Sequence, residues 1–216
     1  VGENNYRRLL VLAFNFAAER GYGEGNVAAK SAKVKATKGE VGVLTPDELV
    51  DLLHAADSEL VPFIALQAFG GLRRSEAESI LWEAVDFDND LIKVSAKVAK
   101  TGEPRHVEMT DTLRAWLMTD RQLSGPVRPP NARKLLEAAR EAANIDAWPQ
   151  NGLRHSAASY HLGQFKDAGK TAEMLGHPNP RMLFKHYRAL VTPRDAERYW
   201  QIMPTAATDK VIEIAS

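Results

Sequence analysis

Cysteine is absent from the 216 residues, which excludes disulfides and thiolate metal sites. No apolar run approaches the length of a membrane span, and nothing at the N-terminus has the pattern of a signal peptide. A reducing, cytoplasmic setting is the default for such a chain. There is no P-loop, no carboxylate cluster and no zinc-like spacing. Internal repeats and low-complexity tracts are missing too. Net charge is lacking as well: 28 Lys and Arg balance 28 Asp and Glu. A neutral average argues at first sight against a polyanionic partner.

What is present belongs to a soluble globular protein, with 44% hydrophobic and 26% charged residues. The neutral average also hides a division. Residues 1–42 hold 7 Lys/Arg against 4 Asp/Glu, residues 43–149 hold 12 against 18, and residues 150–200 hold 8 against 4. The positive excess thus falls at the start of the chain and on one late stretch. That distribution permits a phosphate-binding surface.

Residues 6–20 (YRRLLVLAFNFAAER) are apolar on most helical faces and stop at Gly21. They read as a helix that needs a packing partner, and residues 1–42 as the end of a truncated N-terminal helical domain with its linker. The linker is the Gly-, Lys- and Ala-rich segment 21–42. A new start follows at Thr45-Pro46-Asp47-Glu48, a capping box with proline at the first helical position. Residues 60–69 (LVPFIALQAF) predict a buried helix stopped by Gly70-Gly71, and a short helix follows near Ser75–Leu81. The period then changes from 3.6 to 2. Segments at 85–87, 91–96 and 105–109 predict an antiparallel sheet of two or three strands. Helices resume at about 111–121, 131–143, 151–163, 167–175, 180–188 and 194–202, with Asn131, Asn179 and Thr192 as caps. The fold class is mainly α with a small antiparallel β-sheet (α+β). The main domain spans 43–204, and 205–216 form a tail whose Lys210–Ala215 alternates like a strand.

Several side chains along this frame can carry chemistry. Arg73 follows the double glycine, with Glu76 placed to hold its guanidinium on the same helical face. Either a surface ion pair or an anion clamp fits that pair. Lys100 lies in a tight turn, AKTGEPR, where a hairpin tip can carry a lysine into a cleft; Lys97 competes with it. Arg154 and His155 open a helix whose small residues Ala157, Ala158 and Ser159 allow close packing, and an arginine there can face an anion. His177 closes a helix after Leu175-Gly176, and Tyr187 follows His186. Taken singly, each also reads as an ordinary cap, surface lysine or packing residue.

Taken in order they become specific. The pieces GLRRSE (71–76), AKTGEPRHVEM (99–109), NGLRHSAASY (151–160), LGHPNP (175–180) and HY (186–187) resemble the tyrosine recombinase family, the phage integrase-like and Xer-like enzymes. The resemblance covers roughly residues 43–190. It implies a site-specific DNA recombinase that needs neither metal nor ATP. Tyr187 is then the nucleophile that forms a 3′-phosphotyrosyl link. Arg73 and Arg154 clamp the scissile phosphate, His177 donates to it, and Lys100 protonates the leaving 5′-oxygen. The implied partner is double-stranded DNA, held by a homotetramer that is a monomer off DNA. One position departs from the family: Asn151 stands where a histidine is usual, three residues before Arg154. An amide cannot pass on a proton at neutral pH. His155 is a poor substitute on helical geometry, since adjacent positions point about 100° apart. A catalytically weakened DNA-binding relative therefore stays open, and so does a topoisomerase-like relaxing enzyme.

Overall fold

The computed structural model describes residues 2–34, 41–100, 102–177, 187 and 191–204. The cap at Asn179, the helix at 180–188 apart from Tyr187, and the strand-like tail at 210–215 lie outside the described residues. The chain divides into two compact units, residues 1–40 and 41–216.

In the first unit, helix α1 (Gly2–Glu19) leaves no residue buried, and Tyr6, Leu9, Leu12 and Phe16 are exposed. The segment after it reads as a linker by its lack of periodicity. It contains instead a 3₁₀ turn at Val27–Lys30, capped by the Asn26 side chain, which accepts from Ala29 N–H at 2.9 Å. The same asparagine amide donates to Val11 O at 2.8 Å, and Arg7 donates to Ser31 O at 2.9 Å. Polar side chains, with no hydrophobic period, fold this turn back along α1. A search for apolar periodicity therefore passes over it.

The second unit begins at the capping box. Thr45 accepts from Glu48 N–H at 3.2 Å and Glu48 answers on Thr45 N–H at 2.7 Å, opening α2 (Pro46–Ala55). A 3₁₀ turn at Ser58–Leu60 leads into α3 (Val61–Ala68), every residue of which is buried. This helix is the centre of the core and packs against α5 (Asp111–Met118) and α7 (Gly152–Phe165). Between them come the short α4 (Arg74–Ala77) and strands β1 (Val85–Asp86), β2 (Leu91–Val94) and β3 (Arg105–Glu108). The strands form one antiparallel sheet in the order β1-β2-β3, with Val85 opposite Ile92 and Val94 opposite Arg105. The expected third strand is real, although each strand is shorter than its alternating segment.

Helices α6 (Ala132–Ala142), α8 (Ala168–Leu175) and α9 (Pro193–Trp200) complete the unit. Thr192 caps α9, accepting from Asp195 N–H at 3.1 Å, whereas Asn131 precedes α6 without a side-chain cap. Two tyrosines lock the core: Tyr160 of α7 stacks on Tyr199 of α9 with ring centroids 4.0 Å apart. Their hydroxyls donate to Leu44 O at 3.0 Å and Ala68 O at 2.6 Å, so neither is orphaned. Ser156 adds a tie, accepting from Leu44 N–H at 2.8 Å. The start of the unit is thereby sewn to α7, the helix that carries Arg154 and His155. No described helix is long and apolar enough to cross a membrane.

Candidate active site

The site is assembled around one buried carboxylate. Glu76, in the short α4, has no solvent-accessible surface. Its spacing from Arg73 does what an i,i+3 pair predicts: Arg73 Nη1 donates to Glu76 Oε1 at 2.8 Å, and Arg73 N–H to Oε2 at 3.0 Å. A second arginine, Arg105 at the start of β3, donates to the same carboxylate through Nη2 at 2.8 Å and Nη1 at 3.3 Å. Arg154 Nη1 lies 4.0 Å from Oε2. Burial alone pushes the Glu76 carboxyl up. The hydrogen bonds from Arg105 and from Arg73 N–H, with the Arg105 charge, outweigh it and hold the pKa at about 2 instead of 4.5.

The guanidinium groups also seize backbone carbonyls at the end of α8. Arg154 donates to Leu175 O at 2.8 Å and to Gly71 O, Arg73 to Gly176 O at 3.3 Å, and Arg105 Nε to Met174 O at 3.4 Å. The last turn of a helix has carbonyls without intrahelical partners, so cations gather there naturally. Two glycines make the close approach possible. Gly71 has φ +63°, and a Cβ on it would come within 2.9 Å of Leu175 Cδ2. Gly176 ends α8 with φ +58°, and a Cβ on it would lie 2.9 Å from Arg105 Cδ and Nε. The Gly70-Gly71 and Leu175-Gly176 pairs, separated by a hundred residues in sequence, thus face one another across the arginines.

Arg154 feels this crowding. Burial first, and then the charge of Arg73, lower its pKa to about 9 from 12.5, with Glu76 acting in the opposite sense. It remains cationic at neutral pH. Three guanidinium groups around one carboxylate leave two positive charges uncompensated. Among the described residues, such an arrangement can take an anion.

Tyr187 lies close enough to Arg154 to feel its charge. Its hydroxyl is 2.7 Å from His155 Nδ1, with the two rings 5.7 Å apart. Burial raises the pKa of the phenol, and the Arg154 charge pulls it part of the way back. Ser159, Leu162, Gly163, Val191 and Pro193 line the cavity beside the ring, which accounts for the desolvation. Arg154 and His155, adjacent on α7, take different partners: Arg154 donates to Leu175 O, while His155 meets the Tyr187 phenol.

The remaining positions are placed as follows. Lys100 is not at the tip of a tight hairpin. The connection between β2 and β3 folds inward at Ala99, which is buried, and the Lys100 N–H reaches Glu76 Oε1 at 3.4 Å while its side chain is exposed. Lys97 is exposed on the same connection. His177 follows the left-handed Gly176, half-buried, with its N–H on Ala172 O at 2.8 Å. Asn151 precedes α7 in the left-handed region, φ 57° and ψ 26°, exposed and without a side-chain cap bond. Asparagine tolerates that backbone conformation better than most residues. Arg105 was missed as a site residue. The sign was available: it shares a strand face with the buried Val107, and an inward-facing arginine requires a partner.

Residues 42–193 match the phage integrase family. The chain belongs to that family. Three solved relatives share its fold at low identity. A lambda integrase tetramer bound to a Holliday junction is 20% identical, with TM-score 0.66, covering 83% of this chain and 57% of that one. XerA recombinase is 19% identical, with TM-score 0.57, covering 91% and 83%. The catalytic domain of bacteriophage HP1 integrase is 22% identical, with TM-score 0.58, covering 73% and 92%. No curated protein sequence matches significantly. The matched span of this phage integrase family member contains every residue of the arginine cluster, His155, His177 and Tyr187.

Proposed function

We propose that this protein is a site-specific DNA recombinase that cleaves and rejoins double-stranded DNA through a 3′-phosphotyrosyl intermediate, without metal or ATP. The observation that carries the reading is the uncompensated charge of Arg73, Arg105 and Arg154 beside a phenol, Tyr187. A phosphodiester entering there carries one negative charge, which rises in the transition state. Guanidinium groups fixed by Glu76 and by backbone carbonyls need little reorganisation to meet it. Arg73 and Arg154 bind the non-bridging oxygens through N–H groups left over from their present bonds. His177, next to the Arg73 and Gly176 contact, adds a donor.

Attack by the Tyr187 oxygen forms the P–O bond to tyrosine and breaks the bond to the 5′-oxygen. Lys100, on an exposed segment pinned by its backbone to Glu76, delivers the proton to that leaving oxygen. The phosphotyrosyl bond conserves the energy of the broken bond, so a 5′-hydroxyl from another strand reverses the step. Two duplexes exchanging strands require four active sites, and the fold relative solved on a Holliday junction is a tetramer. We therefore assign the active form as a homotetramer on DNA and a monomer off it.

The test is a nicked duplex, taken from the footprint of the protein on DNA, that traps a covalent adduct. Wild-type protein accumulates the adduct and Tyr187→Phe gives none. Robust trapping by Tyr187→Phe sinks the assignment. Tight binding with no adduct from wild-type protein favours the non-catalytic DNA-binding reading.

A further inference from the structure

Burial keeps the Tyr187 hydroxyl protonated at neutral pH, yet its oxygen must shed a proton to attack phosphorus. The family's usual histidine is Asn151 here, exposed on the left-handed residue before α7. Arg154, the neighbouring cation, is already protonated and cannot accept. The group in contact with the phenol is His155, whose Nδ1 lies 2.7 Å from the hydroxyl oxygen. That distance is within reach for direct proton transfer.

We propose that His155 is a catalytic residue, the base that takes the proton of Tyr187 during cleavage and returns it during rejoining. The proposal rests on the reading of Tyr187 as the nucleophile. It requires the neutral tautomer with hydrogen on Nε2, leaving the Nδ1 lone pair for the phenol. In cleavage the Tyr187 O–H bond breaks and its proton passes to Nδ1. The oxygen's electron pair forms the bond to phosphorus, and the bond to the 5′-oxygen breaks, that oxygen taking a proton from Lys100. In rejoining, the 5′-hydroxyl attacks, its proton passes to Lys100, and His155 reprotonates the departing tyrosine. The imidazolium formed in the first half is thus spent in the second, and the cycle closes without another proton carrier. The first turn of α7 carries the base: the His155 N–H is bonded to Asn151 O at 2.9 Å.

The experiment is single-turnover cleavage of the trapping substrate by full-length His155→Gln, which keeps a polar contact but is no base. Cleavage is expected to slow about 10²–10⁴-fold while DNA binding stays unchanged. A substrate with sulfur at the 5′-bridging position has a leaving group that needs no proton, so it rescues Lys100→Ala but not His155→Gln. If glutamine disturbs the fold, His155→Ala replaces it, and added imidazole is expected to restore part of the rate. Cleavage by His155→Gln at the wild-type rate overturns the proposal, and so does rescue of it by the sulfur substrate. Failure of wild-type protein to form any adduct strikes the nucleophile assignment instead, so the two failures are distinguishable.

Discussion

The two halves of the site are held in opposite ways. The arginine half is over-determined: Glu76 bonds two guanidinium groups and two backbone N–H groups, and three carbonyls of the Met174–Gly176 turn take further arginine donors. In the nucleophile half, among the described residues, the Tyr187 hydroxyl meets His155 at 2.7 Å beside a cavity. On the proposed function, the difference follows from what each half must do. A phosphate clamp works best rigid, because every reorganisation of a dipole adds to the barrier. A nucleophile must travel from a phenol to a covalent bond and back, which a dense network would prevent.

Damage to the two halves should therefore look different. Glu76→Ala strands Arg73 and Arg105 without their carboxylate in a largely buried place. The expected cost is about 3–5 kcal/mol of folding stability, read by denaturant unfolding. The same network is pH-sensitive. The Glu76 carboxyl is held at about 2 instead of 4.5. Its stabilisation is therefore present above pH 4.5 and is lost as pH falls toward 2, because the proton binds the unfolded state more tightly and acid pulls the equilibrium that way. Unfolding titrations of wild-type protein should lose stability over that window, and Glu76→Gln should flatten the loss. A smaller effect is expected from Gly176→Ala, about 1–3 kcal/mol, since alanine strains at φ +58° and its Cβ meets Arg105 at 2.9 Å. The smallest belongs to Tyr187→Phe, about 1 kcal/mol for one partly buried hydrogen bond, while on the proposed function it also abolishes strand cleavage. A large loss of stability in Tyr187→Phe would break the contrast between the halves.

Much of the frame was readable in advance, for local reasons. The capping box at Thr45, the uniformly apolar 61–68 and the change of period at the sheet are written in neighbouring residues. The site was legible only as a list. Arg73 and Glu76 announce their pairing by spacing, but Arg105 joins them from 29 residues away, and no local pattern fixes that meeting. The Leu175-Gly176 segment looked like a helix end. Its carbonyls, free of intrahelical partners, turn out to hold the arginines. The contact between His155 and Tyr187 was not legible, because helical angles say where a side chain leaves its own helix and not which partner comes to it from elsewhere. The 3₁₀ turn at Val27–Lys30 escaped because polar side chains build it.

The central claim is that Tyr187 becomes covalently joined to DNA. The most direct measurement is to digest the trapped adduct with nuclease and protease and locate the modified peptide by mass spectrometry. The expected result is a nucleotide 3′-phosphate on the peptide bearing Tyr187. A nucleotide on any other residue would contradict the account.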